Sequence, residues 1–172
     1  MTGVSLREAT TDDLAALVEL ERVGFDAAER WSSTSWAGEL DGADRWVRLA
    51  VIDDTVVGAI SVQLLPPASD LMRVVVDPVR RRRGIATRLV HAGLDAAAAA
   101  GATRMLLEVR HDNDAAIACY GRAGFEQLTA RENYYGAGRH ALVMRAWDLH
   151  LRTTAGARDA GAQDAGAEGV RG

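Results

Sequence analysis

The sequence predicts an α/β fold: a mixed, mostly antiparallel sheet with a central parallel strand pair and flanking helices. Three observations predict it. Residues 46–52, 56–64 and 71–76 are β-rich runs set apart by Asp53-Asp54 and Pro66-Pro67, which implies three successive strands in an antiparallel meander. From Gly84 the apolar positions Ile85, Leu89, Val90, Leu94 and Ala97 recur at helical spacing up to Gly101, a C-cap residue. A strand over 105–109 follows, and a strand–helix–strand crossover favours a parallel pairing of 71–76 with 105–109.

The remaining elements fall around that centre. Residues 4–7 read as a short first strand. Thr10-Thr11-Asp12-Asp13 then offers capping residues, with Asp13 three after Thr10, ahead of an amphipathic helix carrying Leu14, Leu17, Val18 and Leu20. A segment with Trp31, Trp36 and Trp46 contains Ser32-Ser33-Thr34-Ser35, which can cap a second short helix near Trp36. These aromatics either line a substrate groove or cover the edge of the core. Asp112 or Asn113 can cap a further helix over 115–122, ended by Gly124, and 125–129 and 141–146 read as two final strands around a Tyr-Tyr-Gly-Ala-Gly loop.

Composition sets the outer bounds. The chain of 172 residues has 48% apolar and 26% charged residues, which suits one globular domain over residues 1–151. Residues 152–172 are mostly Ala, Gly, Asp, Glu, Gln and Arg with almost no large apolar side chain, and are expected to be a disordered tail. All 20 basic side chains are arginine, and the net charge of −4 lacks the excess of a nucleic-acid binder. Cys119 is the one cysteine, so an internal disulfide is excluded and a reducing cytoplasm is expected. No apolar run approaches the roughly 20 residues that span a bilayer, and the N-terminus lacks a signal-peptide pattern. His91, His111, His140 and His150 show no metal-ligand spacing, and no metal is expected.

The most informative stretch is 71–86, where a strand, the break at Asp77-Pro78 and four arginines lead into Gly84 and a helix start. Open backbone N–H groups at such a start, with the helix dipole, attract anions, and Gly84 lets a ligand approach the backbone. The spacing is neither Gly-x-x-x-x-Gly-Lys-Ser/Thr nor Gly-x-Gly-x-x-Gly. A phosphate cradle, a basic nucleic-acid patch and a solvated charge run are the readings that local spacing leaves open.

Arg81-Arg82-Arg83-Gly84-Ile85-Ala86 resembles the Gln/Arg-x-x-Gly-x-Gly/Ala motif of the GNAT N-acetyltransferases. Leu107-Glu108-Val109-Arg110, then Asn113, Ala115-Ala116-Ile117, Tyr120, Gly124-Phe125 and Arg131-Glu132-Asn133-Tyr134-Tyr135, are similar to the RimI-type ribosomal-protein-alanine N-acetyltransferases of that family. The likeness is close over 71–135, weaker before it, where Trp31-Ser32 fits, and absent in the tail. It implies acetyl-CoA as cosubstrate. Arg81, Arg82, Arg83, Gly84, Ile85, Ala86 and Thr87 would hold its pyrophosphate, Asn113 would contact it near the next helix, and Val74, Val75 and Val76 would offer backbone groups to the pantetheine arm and acetyl carbonyl. The same resemblance makes Glu108 the general base, directly or through water, and Tyr120 the acid that protonates the departing thiolate. Trp31, Tyr134 and Tyr135 become candidates for the acceptor groove. Gly136-Ala137-Gly138-Arg139-His140 departs from the family pattern, being shorter and without acidic residues.

The implied acceptor is a protein N-terminus, the alanine of a small-subunit ribosomal protein. Energy agrees with that choice: deprotonating an α-amino group at pH 7 costs about 1.4 kcal/mol, against about 4.6 kcal/mol for lysine. Acetylation of a lysine or small-molecule amine, and a non-catalytic acyl-CoA-binding module, are the alternatives. Direct nucleic-acid or membrane partners are not expected.

Overall fold

A computed structural model describes residues 3–152 of the chain. The expected tail, apart from Arg152, lies outside the described residues. In chain order the elements are β1 (Ser5–Glu8), α1 (Leu14–Gly24), α2 (Ser33–Asp41), β2 (Arg45–Ile52), β3 (Thr55–Leu65), β4 (Ala68–Val76), α3 (Ile85–Ala99), β5 (Arg104–Arg110), α4 (Asp114–Arg122), β6 (Glu126–Arg131) and β7 (Ala141–Ala146). They build one sheet in the order β1-β2-β3-β4-β5-β7-β6. Every neighbouring pair is antiparallel except β4 and β5.

Local chemistry accounts for the turns. Thr10 and Asp13 form the expected capping box ahead of α1, and Arg7 adds a two-pronged ion pair to Asp13 at 2.8 and 2.6 Å. Ser32 caps α2 by accepting from the Ser35 N–H at 3.0 Å. Asp53 and Asp54 both have positive φ, 47° and 61°, in the two-residue loop of the β2–β3 hairpin. That left-handed pair suits the right-handed twist of the strands, and aspartate adopts it more readily than most residues.

The two faces of the sheet are covered differently. Alternation along β2 sends Ala50 toward α3 and Val47, Leu49 and Val51 toward α1 and α2. On the first face Leu89, Val90, Leu94 and Ala97 of α3 pack with Ile60, Val62, Leu71 and Val76, and α4 joins through Ile117 and Tyr120. On the second, Leu17, Leu20 and Trp36 pack on Leu49, Ala59 and Val75. At the end of α1, a Cβ on Gly24 would lie 2.7 Å from Val75, so the absence of a side chain lets that helix end close onto β4.

One irregularity sets up the site. In β4 the register with β3 passes from Val62↔Leu71 to Ser61↔Arg73, leaving Met72 as an extra residue. A bulge of this kind reverses which residues face which side of a sheet. Leu71 therefore joins the α3 face, whereas Arg73 and Val75 lie on the α1–α2 face.

Candidate active site

β4 and β5 pair only through Ala68↔Arg104, Ser69↔Met105 and Asp70↔Leu106. Beyond that point β4 continues with β3 on its other side, and β5 with β7. The middle of the sheet opens into a cleft between residues 73–76 and 107–110, directly after the Met72 bulge.

At the end of β4, Asp77 accepts from the Val79 N–H at 3.1 Å and starts a short turn. The chain then passes through Arg82 and Gly84, with φ of 60° and 75°. The Gly84 carbonyl accepts the first helical bond of α3 from Arg88 at 3.0 Å. The N–H groups of Ile85, Ala86 and Thr87 belong to the opening turn and have no intrahelical acceptor. A Cβ at Gly84 would meet nothing within 4 Å, so this surface is open to a ligand. Arg82 and Arg83 are exposed beside it. These features fit a pyrophosphate.

Arg81 is engaged elsewhere. Its Nε donates to the Val76 carbonyl at 3.1 Å and its Nη2 to the Gly24 carbonyl at 2.9 Å, which staples the turn to the end of α1. Of the backbone groups expected to meet the cosubstrate, those of Val74 and Val76 point away from β3, the Val76 carbonyl being already bonded to Arg81, whereas those of Val75 face Ala59 of β3. The Thr87 hydroxyl lies 3.7 Å from the Cys119 Sγ, joining the first turn of α3 to α4. Asn113 caps α4, its Oδ1 accepting from the Ala116 N–H at 3.2 Å, so its side-chain N–H₂ is the part left for a ligand.

Glu108 and Tyr120 flank the cleft from different sides. Glu108 alternates with the buried Leu107 and Val109 and so projects from the face opposite α4. Its carboxylate is 31% exposed and lies 3.0 Å from Arg131 Nη1. Tyr120 is half-buried on α4, edge-on to Phe125 at 5.9 Å. Burial pushes its phenol above the ordinary tyrosine range, with Cys119 and Tyr135 adding to the rise and Arg73 opposing it. Tyr135 is raised chiefly by burial and then by the charge of Glu108. Tyr135 thus stands within electrostatic range of both residues, which make no direct hydrogen bond to each other.

Two loops carry the aromatic residues expected at the acceptor groove. In the loop after β6, Tyr134 and Tyr135 meet edge to face at 5.0 Å, and Arg131 lies over the Tyr134 ring. The His111 and His140 rings meet at a tilt with centres 5.0 Å apart, and the Asn133 N–H donates to His140 Nδ1 at 3.1 Å, which ties the loop back to the end of β5. In the loop between α1 and α2, Trp31 is half-buried and meets Trp36 at a tilt, ring centres 5.2 Å apart. Trp36 is 0% exposed, so it is core, and Trp31 is the one of the pair left half-open.

An ion-pair framework between these loops is absent from the sequence reading. Arg73 grips both oxygens of Glu21 at 2.9 and 2.6 Å, and Arg110 holds Glu29 at 2.5 Å and Asp112 at 2.5 Å. Those partners raise the Arg110 guanidinium above its ordinary value, Asp112 most and Glu29 next. The signal for the first pair is present in the sequence: Glu21 continues the 14, 17 apolar spacing of α1, and Arg73 interrupts an apolar strand. Two opposite charges on apolar faces are candidates for one buried pair.

Comparison with known proteins converges on the same reading. The family model described as acetyltransferase (GNAT) family matches residues 9–125. An uncharacterised protein of Mycobacterium leprae is 36% identical over 141 residues, 79% of this chain, and the chain spans only 38% of that relative's length. The [ribosomal protein bS18]-alanine N-acetyltransferase of Salmonella typhimurium is 32% identical over 127 residues, covering 73% of this chain and 83% of that protein. Among solved structures, the ribosomal-protein-S18-alanine N-acetyltransferase of Escherichia coli superimposes with a TM-score of 0.78 at 26% identity, over 85% of this chain and 94% of that one. With a family match that runs from the end of β1 through the cleft and α4, this chain belongs to the acetyltransferase (GNAT) family.

Proposed function

We propose that this protein transfers the acetyl group of acetyl-CoA to the α-amino group of a protein N-terminus, with the N-terminal alanine of a small-subunit ribosomal protein as its acceptor. The observation that carries the reading is the parting of β4 and β5 after Asp70↔Leu106, with Glu108 and Tyr120 on its two flanks and the open first turn of α3 at its end. The named activity of the Salmonella relative and of the Escherichia coli neighbour supports the choice of acceptor.

Acetyl-CoA supplies an acetyl group activated as a thioester. The residues of the chain hold and move protons around it. Arg82, Arg83, Gly84 and the first-turn N–H groups of Ile85, Ala86 and Thr87 hold the pyrophosphate, with Arg81 setting the turn in place. Val74 offers backbone groups along the parted strand, and the Asn113 amide lies beside α4. Glu108 takes a proton from the acceptor's ammonium, directly or through a water, leaving the amine free to attack. Tyr120 keeps its proton at neutral pH and delivers it to the departing sulfur. Trp31, Tyr134 and Tyr135 line the path of the acceptor's first residues. The catalytic domain extends over residues 1–151. The reaction takes place in the cytoplasm, in keeping with a lone cysteine and, among the described residues, no helix long and apolar enough to cross a membrane.

The test is to incubate the protein with acetyl-CoA and a peptide beginning with alanine, and to follow free thiol. Peptide-dependent thiol release is expected, greater than with the same peptide blocked at its N-terminus. Release no faster than without peptide overturns the reading, and binding of acetyl-CoA without turnover on a broad panel of amines points to a non-catalytic module.

A further inference from the structure

We propose that Arg73 is a positioning residue for the acceptor: its guanidinium fastens the loop between α1 and α2 against the mouth of the cleft and so sets one wall of the groove. This rests on the transferase reading above.

The argument starts from the bulge. Without Met72 as an extra residue, the side chain at 73 would share the face of Leu71, under α3. With it, Arg73 emerges on the α1–α2 face, three residues beyond Asp70, the last residue of β4 that pairs with β5. There the guanidinium is fully organised. Nε and Nη2 donate to the two carboxylate oxygens of Glu21, which is 1% exposed on α1. Nη2 also donates to the Glu29 carbonyl at 2.7 Å. Its Cζ lies 3.7 Å from the Phe25 ring centre and 5.3 Å from that of Trp31. Glu21 completes the arrangement by accepting the Trp31 N–H at 3.1 Å.

One side chain of β4 therefore holds the start, middle and end of the loop, at Phe25, Glu29 and Trp31. Planar two-pronged pairing combined with stacking is specific to arginine, and a lysine ammonium cannot reproduce it. The loop segment it fastens carries Trp31 and Glu29, and Glu29 is also bonded from the far side of the cleft by Arg110. The charge of Arg73 also lies near enough to both tyrosines to oppose slightly the rise that burial imposes on Tyr120 and Tyr135. Its location between the acceptor wall and the cleft accounts for both effects.

Removing Arg73 alone leaves the buried Glu21 carboxylate unpaired, so the test uses two variants that avoid this: R73K, which keeps the charge, and E21Q/R73M, which removes both charges together. Each is assayed by peptide-dependent thiol release, by acetyl-CoA binding and by amide exchange over residues 25–32. Both are expected to raise the peptide KM by about tenfold, with kcat at saturating peptide within about threefold and acetyl-CoA affinity within about twofold of the parent. Exchange over 25–32 is expected to quicken in both. A wild-type protein that acetylates no amine overturns the transferase reading and this inference with it. An active wild type whose peptide KM is unmoved in E21Q/R73M, or whose acetyl-CoA affinity falls in step, overturns the assignment of Arg73 alone. An R73K protein indistinguishable from the parent overturns the planar fastening.

Discussion

Arg131 on β6 reaches across β7 to place its Nη1 3.0 Å from the Glu108 carboxylate on β5. The register explains the reach: Arg131 pairs with Ala141 and Glu108 with Val143, so the two stand on one face along a diagonal. The carboxylate is thereby oriented while staying open to water. Glu108→Gln preserves the shape, yet it cannot take up the acceptor's proton. Turnover is expected to fall by about 10²- to 10³-fold and the basic rise of the pH profile to flatten, with acetyl-CoA affinity nearly intact. Steady-state rates against pH, beside a direct binding measurement, check this, and unchanged turnover removes Glu108 as the base.

Tyr120 provides a test of opposite sign. Burial raises its phenol, so the protonated, donating form persists as pH rises past the ordinary tyrosine range. Activity is therefore expected to show no falling limb from this group up to about pH 10. Tyr120→Phe should reduce kcat by about 10²-fold, because the departing sulfur then has no positioned proton donor. A Phe variant within twofold of the parent assigns Tyr120 to packing against Phe125.

Gly84 is the position where stability and binding can be separated. With φ at 75° and no atom within 4 Å of a built Cβ, Gly84→Ala introduces backbone strain without a clash. The expected stability loss is about 1 kcal/mol by chemical denaturation. If the open surface receives a pyrophosphate, acetyl-CoA affinity should fall by roughly tenfold, about 1.4 kcal/mol. A stability loss with unchanged affinity removes this turn from the binding site.

Away from the cleft, Asp13 links the capping box to pH. Hydrogen bonds from Arg7, then from the Thr10 backbone, hold its carboxyl well below the usual range, at about 2. A depressed folded-state value contributes stability above the unfolded value near 4, and that contribution disappears as pH falls toward 2. Asp13→Asn should destabilise the protein by about 1–2 kcal/mol at pH 7, the exposed end of Arg7 limiting the gain. The gap between the two proteins should close between about pH 4 and pH 2, as followed by denaturant midpoints at each pH. A gap that stays constant with pH places the effect in the shape of the side chain.

The central crossover was legible because strand, helix and strand each carry their own periodicity, and Gly84 and Asn113 announce the helix starts that bound the cleft. The hairpin at Asp53-Asp54 was legible for a similar local reason. Trp31 and Trp36 could not be told apart in sequence, since both are tryptophans in one short segment. Only packing shows Trp36 enclosed and Trp31 half-open. The sequence reading sent Arg81 to the ligand with Arg82 and Arg83, whereas its guanidinium closes on the carbonyls of Val76 and Gly24. Which arginine of four turns inward depends on the end of α1, some 57 residues away in the chain. The Met72 bulge leaves no local mark in composition, and the pairing of Glu21 with Arg73 spans 52 residues. Long-range geometry of this kind decides the walls of the groove, while short-range pattern decides its floor.

A sheet of seven strands ordinarily has two free edges, but the parting after Asp70 and Leu106 gives this one four, two of them inside the molecule. Outer edges have to be guarded against other chains, and interior ones are reached only by something narrow enough to enter lengthwise. A molecule lying there takes the place of an absent strand and is gripped from both sides at once. Occupancy and rigidity of the sheet are then one property: acetyl-CoA at a hundred times its Kd should add about 2.7 kcal/mol to stability. The amides of residues 73–76 and 107–110 should be the first to slow their exchange.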